Sequence, residues 1–244
     1  MKIITIAKHK GGVGASTLAW ALSSIWAKTK TVLVWDFDPQ QTLTMALGAE
    51  HAVNGYDVLT GQIHINEGIS NATPAYPPNL KMIGSTGMMA RLDSETASNF
   101  DRHHLVSDVV EKIVGKFDLL VIDTPPSEGS ILTIGPMVAC DYVLIPCSCD
   151  DASYQQIPRL QQTVAQIKKR LNPRIKELPI VPNLFDQRLT MDRQVLAALK
   201  KNYSTLNTVV PKRTSIREEM AAGLHCTNPE LIALANEIME LIND

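Results

Sequence analysis

The chain has 244 residues, of which 45% are hydrophobic and 20% charged; this excludes disordered and collagen-like classes and leaves enough chain to bury a sizeable core. Aromatic residues make up 5%, so that core has to be mostly aliphatic. Lys plus Arg number 23 against 25 Asp plus Glu, a net charge of −2, so any affinity for a polyanion has to come from how the charge is distributed.

The elements follow in chain order. Residues 2–7 read as a strand, too short for the core of a signal peptide. A glycine-rich turn comes next, then helical periodicity over 16–28 and a strand over 31–37. The stretch 47–78 is the least regular; it holds Gly48, Gly55 and Gly61, then Pro74, Pro77 and Pro78, and reads as a surface excursion with a short helix. Strands follow over 80–84, 117–123, 142–147, 178–184 and 208–210, and helices over 104–114, 154–171, 191–201 and 229–242. Several of the strands are unbroken Val/Ile/Leu runs, as in parallel sheets covered on both faces. Repeated strand–helix alternation predicts an α/β fold, a doubly wound, mostly parallel sheet with helices on both faces, in a single domain over 1–244. In such sheets ligands sit at the carboxyl ends of the strands.

No apolar run reaches the roughly 18 residues that would span a bilayer. Cys140, Cys147, Cys149 and Cys226 do not make a disulfide framework, so a cytoplasmic protein is expected. Cys147 and Cys149 are two apart, which fits a metal pair or two faces of a strand end.

Three segments carry chemistry. The first is Lys10-Gly11-Gly12-Val13-Gly14-Ala15-Ser16-Thr17, between a strand and a helix. Glycines there let the backbone approach a phosphate, and the free N–H groups of a helix start point at it. The strict pattern G-x-x-x-x-G-K-[ST] is missed twice: His9 stands at the first glycine and Ala15 at the phosphate-binding lysine. The second is Asp36-Phe37-Asp38-Pro39-Gln40-Gln41, whose aspartates suit either a helix-capping turn or an acceptor beside phosphate and metal. The third is an apolar strand that closes on Asp123-Thr124-Pro125-Pro126.

Together these segments, in this order, resemble the deviant Walker A ATPases of the ParA/MinD family, whose loop reads KGGxGK[ST]. The resemblance runs over nearly the whole chain and implies the P-loop NTPase fold with ATP and Mg²⁺ as ligands. Lys10 matches the family's signature lysine, which reaches the phosphates of a partner protomer in a nucleotide-sandwich dimer. Gly11, Gly12, Val13, Gly14 and Ala15 match the cradle, Ser16 the Mg²⁺-ligating hydroxyl and Thr17 the hydroxyl next to the α-phosphate. Asp38 matches the residue that positions or activates the attacking water, and Asp123 the carboxylate that holds Mg²⁺ through water. Asn183 and Pro211 match the two segments that flank adenine. Ala15 departs from the family: it is either an introduced change of a lysine or a natural residue whose load Lys10 or another base carries. In both cases weakened nucleotide binding or hydrolysis is expected.

Charge is unevenly spread. Residues 168–217 hold 12 basic and 3 acidic side chains, a net of +9, while the remainder carries −11. Several separate elements share the positive sign, which supports non-specific DNA binding; Lys200, Lys201, Lys212, Arg213 and Arg217 are the candidates, and basic residues of this region contact DNA in the short ParA type. No helix-turn-helix segment fits before the first strand. The last helix carries Glu230, Glu237, Glu240 and Asp244 and no Lys or Arg, unlike a membrane-surface helix. The expectation is a short ParA-type ATPase, cytoplasmic and nucleoid-associated. It would dimerise on ATP and bind DNA non-specifically, distributing a plasmid, chromosome or protein body under control of a ParB-like or adaptor partner. The rivals are a non-catalytic nucleotide switch, in which Ala15 is natural, and a metal-cluster carrier using Cys147 and Cys149.

Overall fold

Strand residues that are aliphatic on both faces need cover on both sides, and the chain supplies it with helices between successive strands. The computed structural model describes residues 1–48 and 55–243. Among these the strands are β1 (Lys2–Ile6), β2 (Val32–Asp36), β3 (Ser70–Asn71), β4 (Leu80–Ile83), β5 (Leu119–Asp123), β6 (Tyr142–Leu144), β7 (Pro146–Ser148), β8 (Lys176–Glu177) and β9 (Val181–Asn183). Seven form one sheet in the order β3-β4-β2-β5-β1-β6-β8, parallel except for the antiparallel edge pair of β3 and β4. β7 and β9 make a separate two-stranded parallel ladder. The expected α/β fold, a mostly parallel sheet with helices on both faces, is the one observed.

Three predicted strands differ. The one over 142–147 is split around Ile145, because Pro146 has no N–H to continue the ladder. The one over 178–184 contracts to β9, and β8 forms just ahead of it. The stretch 208–210 is no strand: Val210 N–H donates to the Pro182 carbonyl at 2.9 Å and Phe185 N–H to the Val210 carbonyl at 3.0 Å, and a single bridge to Pro211 ends the pairing.

Period-2 alternation sorts the strand side chains into two cores. Ile3, Leu33, Trp35, Leu120 and Ile122 pack under the helices Leu105–Glu111, Ile131–Ala139 and Ile157–Arg170. Ile4, Ile6, Val34 and Val121 pack under Ala15–Trp26 and Pro229–Asn243 on the other face. The last helix buries Leu231, Leu234, Ala235, Ile238 and Ile242, a single stripe at helical spacing. It is fixed to the first helix by Trp26 Nε1, which donates to the Ala235 carbonyl at 3.0 Å. The helix Ile131–Ala139 is absent from the expected elements, and it carries Gly135 and Pro136, both poor helix formers. Close packing explains the glycine: a Cβ at Gly135 would lie 2.9 Å from Val106 Cγ2; the neighbouring Pro136 carbonyl accepts from the Thr5 hydroxyl at 3.0 Å. The helix Thr214–Ala221 was also missed. In the irregular stretch, residues 49–54 lie outside the described ones; of the rest, Tyr56, Val58, Leu59, Ile65 and Tyr76 are buried, more than a surface excursion requires.

The ladder register fixes the level of the strand ends. Ile6 lies opposite Asp123 on one side of β5, and Asp36 lies opposite Asp123 on the other. Two carboxylates therefore end neighbouring strands at the same height, directly beside the turn that leaves β1.

Candidate functional site

The turn after β1 winds through two left-handed glycines, Gly12 at φ 80° and Gly14 at φ 81°. Gly14 has a second reason to be glycine. A Cβ there would stand 2.5 Å from Asn183 Nδ2, and that amide donates to the Val13 carbonyl at 2.7 Å. Asn183, at the end of β9 and 2% exposed, thus holds the turn from behind. The first helix starts at Ala15 with no side-chain cap, and its first intrahelical bond is Leu18 N–H to the Gly14 carbonyl. The N–H groups of its first turn are left for a ligand, with the positive end of the helix dipole behind them.

This turn forms one wall of a cavity of about 370 Å³. Gly11, Gly12, Gly14, Ala15, Ser16 and Thr17 line it, with Asp38, Asn183 and Pro211. Lys212, Arg213 and Arg217, expected on a DNA face, line the same cavity. Lys200 and Lys201 stand apart, exposed at the end of the helix Thr190–Asn202. Arg213 also pairs with Glu230 of the last helix.

Beneath the turn lies a cluster of carboxylates. Asp36 is fully buried; its Oδ2 accepts from Thr44 N–H at 2.9 Å and the Thr44 hydroxyl at 2.7 Å, and its Oδ1 from Asp38 N–H at 2.9 Å. Burial and the charge of Asp123 push its carboxyl up to about 7, the bonds from Thr44 and Asp38 opposing. Asp36 therefore shapes the turn that presents Asp38. Asp123 is also fully buried, and burial raises its carboxyl, with Lys8 pulling the other way. Its Oδ2 has no hydrogen-bond partner. Lys8, 6% exposed, places Nζ 3.2 Å from Asp123 Oδ1 and 3.7 Å from Asp38 Oδ2. Sequence reading passed over Lys8, and it placed Asp36 in the second segment without a role of its own. The signal for Lys8 was a lysine only two positions beyond a strand whose last four residues are buried, where a buried cation requires partners.

Lys10 points elsewhere. Its Nζ donates to Asp150 Oδ1 at 2.8 Å, and both side chains are about two-fifths exposed. Burial would raise the Asp150 carboxyl, but hydrogen bonds from Lys10, Ser148 Oγ and Ser153 N–H leave it below the usual range. The four cysteines are free and buried, and burial pushes Cys147 up to about 11 and Cys149 to about 12, so both thiols stay protonated. Among the described residues no group of three His, Cys, Asp or Glu side chains is placed to hold a metal, and no helix is long and apolar enough to cross a membrane.

A parallel sheet of this order, with a glycine turn from its first strand into a helix and an aspartate closing the neighbouring strand, is a P-loop NTPase fold. The family model described as "AAA domain" matches residues 1–177. The chain is 30% identical over 227 residues to the chromosome-partitioning ATPase Soj of Treponema pallidum, covering 91% of this chain and 88% of that protein. It is 31% identical, with the same coverage, to the sporulation initiation inhibitor protein Soj of Bacillus subtilis. Apo McdA of Cyanothece superposes with a TM-score of 0.89 at 20% identity, over 99% of both chains. The chain belongs to the ParA/MinD family, on its ParA/Soj-like branch of partition ATPases.

Proposed function

We propose that this chain is a ParA-type ATPase of a single domain that takes ATP and Mg²⁺ in the 370 Å³ cavity. The observation that carries the proposal is the register that sets Asp36 and Asp123 level beside the glycine turn. The backbone of residues 11–17 would grip the phosphates, and Ala15 contributes its N–H alone. The orphaned, buried Asp123 Oδ2 and the Ser16 hydroxyl fit a hard, oxygen-seeking cation that draws its other ligands from phosphate and water. When bound, Mg²⁺ supplies charge neutralisation to the phosphates. Asp38 is the candidate for orienting the attacking water; it lines the cavity, Gln40 N–H donates to its Oδ1 at 3.0 Å, and its Oδ2 lies 3.7 Å from Lys8 Nζ. Pro211 also lines the cavity, and the base would lie against it. Asn183, as placed, supports the turn from its amide nitrogen, and its role toward adenine would fall to its other atom.

In this reading two protomers close on the nucleotide, and Lys10 leaves Asp150 to serve its partner's phosphates. A half-exposed pair of this kind is worth only about 0–1 kcal/mol, so releasing it costs little. The closed dimer binds DNA non-specifically through Lys200 and Lys201, with Lys212, Arg213 and Arg217 at the cavity rim, and a ParB-like or adaptor protein stimulates hydrolysis. This would place it in the cytoplasm on the nucleoid, moving a plasmid, chromosome or protein body. Ala15 favours a second reading, a nucleotide-dependent switch that does not turn over. Single-turnover hydrolysis with DNA present, on this chain and on Ala15→Lys, separates them. Slow turnover that Ala15→Lys accelerates supports an impaired ATPase. No hydrolysis by either, with ATP bound, supports the switch.

A further inference from the structure

Ala15 deprives the glycine turn of its cation, yet a cation is present. We infer that Lys8 is the phosphate-binding lysine of this chain, delivered from the end of β1 instead of from the start of the first helix. The inference rests on reading the cavity as a triphosphate site.

The geometry supports a transferred role. Lys8 lines the cavity together with Gly11, Gly12 and Gly14, so its ammonium is at the wall where phosphate oxygens would meet backbone N–H groups. Its stem is buried, which fixes where the charge can reach. The alternatives are placed otherwise: Lys10 is paired with Asp150 and Arg213 with Glu230, while Lys212 and Arg217 also line the cavity but are exposed side chains of the segment after Pro211, away in sequence from the glycine turn and in no ion pair with Asp38 or Asp123. Electrostatics point the same way. Asp36, Asp38 and Asp123 are all buried around this wall, and the ammonium in contact with the last two is that of Lys8. Without it, the buried carboxylates beside the glycine turn would stand uncompensated next to a triphosphate, and like charges at that range repel strongly in a site of low dielectric. With its stem held, the ammonium presents three donors from one point and needs only a small movement of its tip to turn from carboxylate to phosphate.

A merely structural Lys8 would neutralise the aspartates and do nothing for phosphate. Calorimetric titration of the full chain with ATP and with AMP, together with thermal melting, distinguishes the two roles. Lys8→Gln is expected to weaken ATP binding at least about tenfold while AMP binding changes little, since a charged hydrogen bond to the terminal phosphates is lost. Lys8→Arg should keep most of the ATP affinity. Moving the cation in Lys8→Gln/Ala15→Lys should restore it. ATP binding by folded Lys8→Gln equal to the parent's overturns the inference. So does equal loss of ATP and AMP affinity, or a double variant that melts like the parent but recovers nothing. Should Lys8→Gln fail to fold, the Lys8→Arg and double variants decide. A parent chain that binds no ATP is a different failure: it removes the triphosphate reading itself, and this inference with it.

Discussion

Thr44 shows how much one hydroxyl can hold. It is 4% exposed, donates to the buried Asp36 Oδ2 at 2.7 Å and accepts from Ser85 N–H at 2.9 Å. Thr44→Val keeps the shape, takes from Ser85 N–H its bond to the hydroxyl and removes one of the two donors to Asp36 Oδ2, the Thr44 N–H remaining. It should lower stability by about 1–3 kcal/mol, read as a reduced urea midpoint at unchanged slope. Asp150 makes a pH argument possible. Its folded carboxyl titrates below the ordinary value, so the unfolded chain holds the proton more tightly as pH falls. The Lys10–Asp150 contribution is therefore complete above the ordinary carboxylate range of about 4 and fades as pH drops below it. Asp150→Asn should remove that small contribution near neutrality and flatten the acid limb by the same amount, the two stability curves converging at low pH. A limb of unaltered slope would show that other carboxylates carry it.

The turn and its helix are the element on which everything else is aligned. Gly14→Ala would put a methyl at φ 81° and within 2.5 Å of Asn183 Nδ2, breaking the support of Val13. ATP affinity should fall more than about tenfold, with a stability loss of about 1–3 kcal/mol from the strained backbone and the displaced amide. The last helix is coupled to the same element. Leu234→Ala should cost about 2–5 kcal/mol by the cavity it leaves, measurable as a lower Tm. At this scale the sequence was readable wherever a periodic apolar pattern ran unbroken: β1, β2, β5 and the helix Pro229–Asn243 lie where expected. It misled where tertiary contacts override local signals. Gly135 and Pro136 suggest a break but sit inside a helix that a neighbouring helix approaches closely. Val210 reads as strand, but its neighbour Pro211 ends the pairing. The glycine turn, Asp38 and Asp123 were legible because strand ends and turn spacing are local. The roles of Lys8 and Asp36 were not: ladder register aligns residues 36 and 123 across the sheet, and Lys8 matters through the carboxylates it meets at that level, Asp38 and Asp123.

Over the whole molecule, the positive charge of residues 168–217 divides into two places. Lys200 and Lys201 are free of the cavity, and Lys212, Arg213 and Arg217 line it. The proposal therefore predicts separable defects. Lys200→Glu/Lys201→Glu should weaken DNA binding and reduce its salt slope without changing ATP affinity. Arg213→Glu/Arg217→Glu should impair both. Gel-shift assays across salt, beside nucleotide titrations, read the two effects, and DNA binding untouched by either pair would remove these residues from the account. The same division would let nucleotide state and DNA affinity communicate, since one wall of the cavity carries part of the basic surface. The most direct measurement is a crystal structure of the chain with a non-hydrolysable ATP analogue and Mg²⁺. The account predicts a triphosphate against the N–H groups of residues 11–17, with the metal at the Ser16 hydroxyl and on the Asp123 side. A triphosphate bound away from that turn, or none at saturating analogue, would contradict it.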